Sequence, residues 1–320
     1  MLLLAAAAAV VLGAAAPAFE ATRWAPPPGD SGWVDVRVFG ARGDGVADDT
    51  TAFRAAAATG RNVFIPRPPV AYVLTGFVAL HASIRGDGSL PLIRMRGADG
   101  DPDQGVARNM LVVDGYTGPG LTVSGLHLDG GWDGRSTRGE WSHGVRVTSS
   151  RNVTIRGNVI ERTYGDCVFV GHYASPGSFA PANVVVEGNL LSDPRRCCVA
   201  VISASGVVIR GNRLVKTSDY VAAIDLEPDP LGYQRVEGVT ISDNTFDIAP
   251  LAFGAGAVSL HDPEGNGSAA RSGNVTVTGN RGRWTPAAGY LRLEGGAGLV
   301  GVVPARPWGN VTASDNQRGR

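Results

Sequence analysis

Two acidic residues, Asp225 and Glu227, stand two positions apart in the run Ala222-Ala223-Ile224-Asp225-Leu226-Glu227-Pro228. Their alternation with Ile224 and Leu226 is that of a half-buried strand, in which successive side chains point to opposite faces. One face then enters a core, and the other presents two carboxyls to solvent, about 6–7 Å apart along the strand. Paired carboxyls suit glycosidic bond hydrolysis, one protonated as acid and one ionised as base, with a separation of roughly 6.5–9.5 Å pointing to inversion. Two close carboxylates also raise one another's pKa, which helps to keep one protonated.

The elements that would position this pair repeat along the chain. Asn152-Val153-Thr154-Ile155-Arg156-Gly157-Asn158 returns as Asn183 to Asn189, Gly206 to Asn212, Gly238 to Asn244, Asn274 to Asn280 and Asn310 to Asn316. The spacing is irregular, as in a solenoid with loops of varying length. The closing asparagines, 158, 189, 212, 244, 280 and 316, are expected to stack at one corner and hydrogen-bond along the stack. Three asparagine-Val-Thr sequons (Asn152, Asn274, Asn310) fall in the repeat and read mainly as architecture; Asn266 begins a fourth sequon.

A second strand precedes each unit: Val145–Thr148, Val168–Gly171, Val199–Ile202, Ile224–Glu227, Val258–His261 and Leu291–Glu294. Aligned as rungs about 4.8 Å apart, these strands send their first and third residues inward and form two outward columns. One column runs Arg146, Phe169, Ala200, Asp225, Ser259, Arg292; the other runs Thr148, Gly171, Ile202, Glu227, His261, Glu294. The alignment puts His261 beside Glu227, and His143 and Asp166 just ahead of their strands. Cys167 and Cys198 also fall in register, either as a disulfide or as two buried thiols. Cys197 is the third cysteine, an odd count.

Ahead of the repeats, Trp33 to Phe39 alternates as a strand. The turn Gly43-Asp44-Gly45 leads to a short helix over about residues 50–59, with Asp48 or Asp49 as its N-terminal cap. Val63–Pro66 and Ala71–Leu74 read as further strands. Residues 1–18 read as a secretory signal with Ala16-Pro17-Ala18 at its cleavage site, and residues 19–32 as a Pro-rich linker. Residues 33–320 then form one domain. Export implies a secreted or periplasmic location that permits disulfides. The 29 basic residues balance the 29 acidic ones, so no basic excess exists to bind nucleic acid or a membrane surface. Lys216 is the sole lysine and lies beyond the asparagine corner, which argues against a lysine base.

The opening Val38-Phe39-Gly40-Ala41-Arg42-Gly43-Asp44-Gly45-Val46-Ala47-Asp48-Asp49-Thr50 resembles the N-terminal signature of the pectate-lyase-like superfamily, which includes polygalacturonase-, rhamnogalacturonase- and epimerase-related proteins. The runs Gly165–Val170, Arg195–Ala204 and Ala223–Pro228 resemble its bacterial repeat proteins, with Cys167 and Cys198 where that subgroup usually has glycine. The resemblance covers about residues 33–316. It implies an all-β chain folded as a single-stranded right-handed parallel β-helix (solenoid) with a short N-terminal capping helix. It also implies a strand face, flanked by loops, that binds polysaccharide. The polygalacturonase pattern of Asn-x-Asp, Asp-Asp, Gly-His-Gly and Arg-x-Lys is absent from this sequence.

Three chemistries fit such a face. A hydrolase would use Asp225 and Glu227, tuned by His261, with Asp166 as a third carboxyl. A lyase or uronate epimerase would need a base, from His261, His143 or Tyr164, and a cation, from Arg292, Arg146, Arg195 or Arg196. Ca²⁺ on Asp225 and Glu227 belongs only to the lyase reading; no other cofactor or metal is required. A non-catalytic binder would instead rely on aromatic stacking by Trp132, Trp141, Tyr164, Tyr173 and Trp284. The loops Gly130–Ser142, His172–Pro181 and Asp262–Ser272 are expected to wall the groove. The expected partner is a polysaccharide, and the expected state a monomer or homotrimer.

Overall fold

The computed structural model describes residues 25–26, 32–97, 109–136, 138–172, 176–218, 221–228, 233–250, 257–261, 272–286, 291–292, 296–302 and 308–319. The signal segment and almost all of the linker therefore lie outside the described residues, as do Tyr173, Asn266 and Glu294.

Short strands stack in parallel into three long sheets of ten, ten and nine strands, so that the chain winds as a parallel β-helix. The repeat units form the first sheet, from Arg151–Arg156 through Gly309–Ser314. The rungs carrying the candidate site form the nine-stranded sheet, from Val145–Thr148 through Val300–Val302. The remaining sheet is built from strands such as Val159–Glu161 and Leu190–Ser192, which follow each asparagine corner. Its strands in the repeat region are only two to four residues long, too short to show a period. Valine, isoleucine and leucine from all three sheets fill one continuous core. Each such fully buried side chain contributes about 1.5–3 kcal/mol.

The asparagine stack is present. Asn158, Asn189, Asn212, Asn244 and Asn280 each donate from Nδ2 to the next Oδ1, at 2.9–3.1 Å. Each Nδ2 also donates to a main-chain carbonyl, as Asn212 does to Val186 at 2.8 Å. Each Oδ1 from Asn189 to Asn316 takes a second bond, from the preceding asparagine's main-chain N–H. The first position of the repeat has a separate constraint, a left-handed backbone. Asn152, Asn183, Asn274 and Asn310 have φ of 49–58° there, and Gly206 and Gly238 have 65° and 64°. Asparagine and glycine tolerate that conformation best, which explains why only they occupy it.

The helix spans Thr50–Ala57 and buries Ala52, Phe53, Ala56 and Ala57. Its capping differs in part from expectation. Asp48 accepts the Thr50 N–H at 2.9 Å, whereas Asp49 turns away and binds the Arg42, Gly43 and Val73 N–H groups. The expected strand Trp33–Phe39 stops at Asp35. That side chain accepts the Arg37 N–H and starts a 3-10 turn over Val36–Phe39.

Candidate active site

The two outward columns form as aligned through the fifth rung. Arg146 pairs with Phe169, Phe169 with Ala200, Ala200 with Asp225 and Asp225 with Ser259. Beyond the strand ends the ladder continues, with the N–H of Gly171, Ile202, Glu227 and His261 donating to Val147, Val170, Val201 and Leu226.

The sixth rung is different. Gly301 of Val300–Val302 pairs with Ser259, and Leu291–Arg292 runs antiparallel on the far side of that strand. Arg292 is thus not the next member of the Asp225 column. The leucine alternation of residues 291–294 mimics a rung, but the ladder selects Val300–Val302.

Asp225 is not presented to solvent. It is only 2% exposed, because a second apolar layer of Phe169, Cys197, Ala200, Ile202 and Val221 packs outside the sheet around its column. Burial, then the neighbouring Glu227, pushes its carboxyl up to about 8, against smaller opposing effects of His261, Arg196 and a Ser259 hydrogen bond. Its Oδ1 has no hydrogen-bond partner. Glu227 has more solvent, with 20% of its side chain exposed, and is flanked by Arg196 and His261. Arg196 Nη2 lies 3.6 Å from Oε2, and His261 Nδ1 lies 3.2 Å from Oε1.

Arg196 is the hub of the cluster. Besides Glu227 it pairs with Glu140 and, at 3.6 Å, with Asp166. Three carboxylates hold its guanidinium firmly in the charged state. Asp166 is fully buried and stays ionised, below the usual carboxylate range. Desolvation opposes this, but His143, Arg196 and the Cys197 N–H overcome it, the last donating to Oδ1 at 2.9 Å. His143 Nδ1 accepts the Asp166 main-chain N–H at 3.1 Å and lies 3.1 Å from Asp166 Oδ2. Burial lowers the His143 pKa, and its Nε2 has no hydrogen-bond partner. The ring stacks on Phe169 at 4.5 Å between centroids, and Arg146 lies over the same ring at 5.9 Å.

Six buried side-chain polar atoms among the described residues lack a hydrogen-bond partner. Four of them, His143 Nε2, Arg146 Nε, Arg196 Nε and Asp225 Oδ1, belong to this patch.

The structure therefore brings together Asp225, Glu227, His261, Asp166, His143, Arg196 and Arg146. Trp141, 40% exposed, and half-buried Tyr164 come from the adjoining loops, where the Tyr164 carbonyl accepts Arg195 Nε at 2.8 Å. Trp132 and Trp284 are buried, the first donating to the Ser136 carbonyl and the second packing on Phe246, so neither offers a stacking surface. Glu140 was missed by sequence reasoning; its place between Gly139 and Trp141, in a loop expected to wall the groove, was the available signal. Cys167 and Cys198 are free thiols whose Sγ atoms donate to the Ile160 and Leu191 carbonyls, so the disulfide alternative is not realised. Lys216 lies in a different sheet, fully buried, with Nζ donating to the Ser218 carbonyl. No group of three His, Cys, Asp or Glu side chains among the described residues is arranged to hold a metal ion.

A family model described as the right-handed beta helix region matches residues 118–283. The chain belongs to the right-handed β-helix family. None of the curated proteins matches it in sequence. Its fold is similar to that of pre-mature gene product 12 of bacteriophage phi29, at 15% identity and a TM-score of 0.61, over 78% of this chain and 32% of that one. It is also similar to tailspike protein gp49 of Acinetobacter baumannii bacteriophage Fri1, a capsular polysaccharide depolymerase, at 14% identity and a TM-score of 0.57, over 79% of this chain and 48% of that one. The Agl-KA catalytic domain matches at 14% identity and a TM-score of 0.52, over 93% of this chain and 49% of that one. The chain thus spans between a third and a half of these structures' length. At such identities the likeness is one of fold.

Proposed function

We propose that this β-helix is an exported enzyme that cleaves glycosidic bonds in a polysaccharide, with Asp225 as general acid and Glu227 as the partner carboxylate. One observation carries the reading. Two carboxyls on a single strand stand in different surroundings, Asp225 buried with its pKa raised and Glu227 partly exposed and ion-paired to Arg196. Their backbone positions lie two residues apart, about 6–7 Å, which is compatible with an attacking water between acid and base. Asp225 protonates the leaving oxygen. Glu227, held between Arg196 and His261, takes the proton of the water. Polysaccharide as substrate class draws support from the depolymerase of the same fold.

A second reading, elimination or epimerisation of a uronate, is favoured by one feature, the neutral His143 held by Asp166. In that case His143 or His261 abstracts a proton. The distinguishing experiment incubates wild type, Asp225→Asn and Glu227→Gln with a polysaccharide panel and reads both reducing ends and the ultraviolet absorbance of an unsaturated uronate. Reducing ends without absorbance, lost in both variants, support hydrolysis. Absorbance that rises with the reducing ends overturns it in favour of elimination.

A further inference from the structure

We propose that Ser259 is a catalytic residue, its hydroxyl relaying the proton of Asp225 to the oxygen of the departing sugar. This rests on the reading of Asp225 as the acid and adds the route by which its proton leaves.

A carboxyl buried deeply enough to keep its proton is also hard for a substrate to touch. Asp225 is almost fully covered, and its Oδ1 is sealed without a hydrogen-bond partner. The other oxygen, Oδ2, is therefore the one bonded to the Ser259 hydroxyl. Ser259 stands directly opposite Asp225 on the next rung, in the same outward column, about 4.8 Å away. Charged or titratable groups also face Asp225 from Glu227 on its own strand, from His261 on the next rung, and from Arg196 and Cys197 in the turn ahead of Val199–Val201. Glu227 is taken up with Arg196 and His261, and the Cys197 main-chain N–H with Asp166.

The place of the proton follows from what each oxygen meets. On Oδ1 it would be a buried donor with no acceptor. On Oδ2 it has Ser259 Oγ as acceptor, and Oδ1 is left as an unpaired carbonyl oxygen, which protein interiors tolerate more readily than an orphan donor. A serine hydroxyl can accept and donate at once, so Ser259, bonded to Asp225, still has its own hydrogen to give.

The apolar cover over Asp225 also ends at this point. Phe169, Cys197, Ala200, Ile202 and Val221 come from the second and third rungs and from the turns ahead of the third and fourth, and none from the rungs beyond. The column neighbour of Ser259 on its far side is Gly301, which has no side chain. Ser259 itself is 5% exposed. The leaving oxygen would approach at Ser259 rather than at Asp225. The Asp225 proton passes to Ser259 Oγ as the Ser259 hydroxyl hydrogen passes to the glycosidic oxygen, which keeps the electron pair of the breaking C–O bond. Asp225 ends as a carboxylate, and Ser259 as a hydroxyl that now donates to it. Water adds to the sugar carbon and gives its proton to Glu227; between turnovers a proton returns to Asp225 through solvent.

The test compares the full chain as wild type, Asp225→Asn, Ser259→Ala, Ser259→Thr and the double variant Asp225→Asn with Ser259→Ala, each shown to be folded by thermal denaturation. Without substrate, infrared spectroscopy follows the carbonyl stretch of the protonated carboxyl, assigned by its loss in Asp225→Asn. That band should move in Ser259→Ala and stay near its place in Ser259→Thr. An unmoved band in Ser259→Ala overturns the hydrogen bond and the relay, and absence of the band from wild type sinks the acid itself. With polygalacturonate, hyaluronan, xylan and dextran as polymers, reducing ends give kcat and KM. Expected in Ser259→Ala is a kcat lowered about a hundredfold or more with KM little changed, most of it restored in Ser259→Thr. The alkaline limb of its residual activity should lie at higher pH, since the bond that favours the ionised carboxyl is gone. The double variant should be no slower than Asp225→Asn alone, because a proton source and its relay act as one unit. Losses that multiply would make Ser259 an independent contributor and overturn the relay. Cleavage abolished in Asp225→Asn but kept in Ser259→Ala leaves Asp225 as a direct acid and sinks the relay alone. Cleavage kept in Asp225→Asn sinks the acid and the relay with it. Cleavage of none of the four polymers counts against both.

Discussion

Replacing Asp225 by asparagine should stabilise the protein at neutral and alkaline pH while abolishing its turnover. The carboxyl is fully buried, and its pKa is raised to about 8. In the unfolded chain the same group titrates near 3.9. Between those two values the folded protein binds more protons than the unfolded one. Stability therefore falls as pH rises through that window, with a limiting slope of about 1.4 kcal/mol per pH unit. At pH 7 the cost of keeping this carboxyl neutral comes to about 4 kcal/mol, against none below pH 4. Asparagine is neutral at every pH, so the variant escapes the cost. Its unpaired amide hydrogens offset about half of the gain, leaving about 2 kcal/mol, or several degrees of melting temperature.

Chemical denaturation of both proteins at pH 4, 5, 6, 7 and 8 provides the assay. What matters is the stability difference as a function of pH, since a pH-independent offset from packing or hydrogen bonding cancels out. A difference that grows in favour of Asp225→Asn from pH 4 to 8 and then levels confirms that the fold holds a protonated carboxyl. A flat difference would refute the reasoning, for it would mean that Asp225 ionises in the folded state as readily as in the unfolded one, and no acid would be stored at this position.

Three further outcomes follow from the same geometry. Arg196→Gln removes a charge that lowers the Asp225 pKa, so the alkaline limb of the pH–rate profile should move upward, by about one unit per 1.4 kcal/mol of lost interaction; an unmoved limb would detach Arg196 from the acid. Asn212→Ala leaves the Val186 carbonyl and the Asn189 N–H buried without partners and should cost about 3–5 kcal/mol in thermal or urea denaturation, a loss below about 1 kcal/mol contradicting the ladder. The three thiols are fully buried, with Cys198 pushed up to about 12, so a thiol reagent should find none in the native protein and three after denaturation without reductant; fewer than three would restore a disulfide.

Much of this architecture is legible in the sequence because it depends on local patterns. Apolar residues at every second position fix the inward face of each rung, and a buried asparagine closing each repeat has few roles besides the ladder. The failures lie where a longer-range term decides. Leu291-Arg292-Leu293-Glu294 alternates better than Val300-Gly301-Val302, yet the parallel ladder from Val258–Leu260 accepts the latter. Cys167 and Cys198 are in register, but register does not decide between an S–S bond and two thiols that each reach a main-chain carbonyl. Strands of two to four residues after each asparagine carry too few alternations to register as a sheet.

The burial of Asp225 is the most consequential of these failures, because the chemistry depends on it. Alternation places the residue on the outer face of its strand, and an outer face suggests water. The structure adds a second layer there. Phe169, Ala200 and Ile202 are outward residues of the neighbouring rungs, Cys197 and Val221 come from the turns before the strands, and all five are apolar or weakly polar. Had the column carried scattered charges, Asp225 would have remained solvated and ionised, and two carboxylates would have faced the groove with no proton to give. The sparse run of Phe169 and Ala200 above the acidic strand is thus part of the acid itself. It withdraws water from Asp225 and leaves Glu227 at the strand end with solvent, Arg196 and His261. Substituting Ala200 by a polar residue such as serine or asparagine should accordingly lower the Asp225 pKa, even though position 200 makes no bond in the reaction. It would shift the alkaline limb of activity down, opposite in sign to Arg196→Gln. Two substitutions on one face with opposed pH shifts separate the desolvation that raises the Asp225 pKa from the Arg196 charge that lowers it. A null or upward shift from the Ala200 variant would remove desolvation as the cause of the raised pKa, and a null or downward shift from Arg196→Gln would remove the opposing charge.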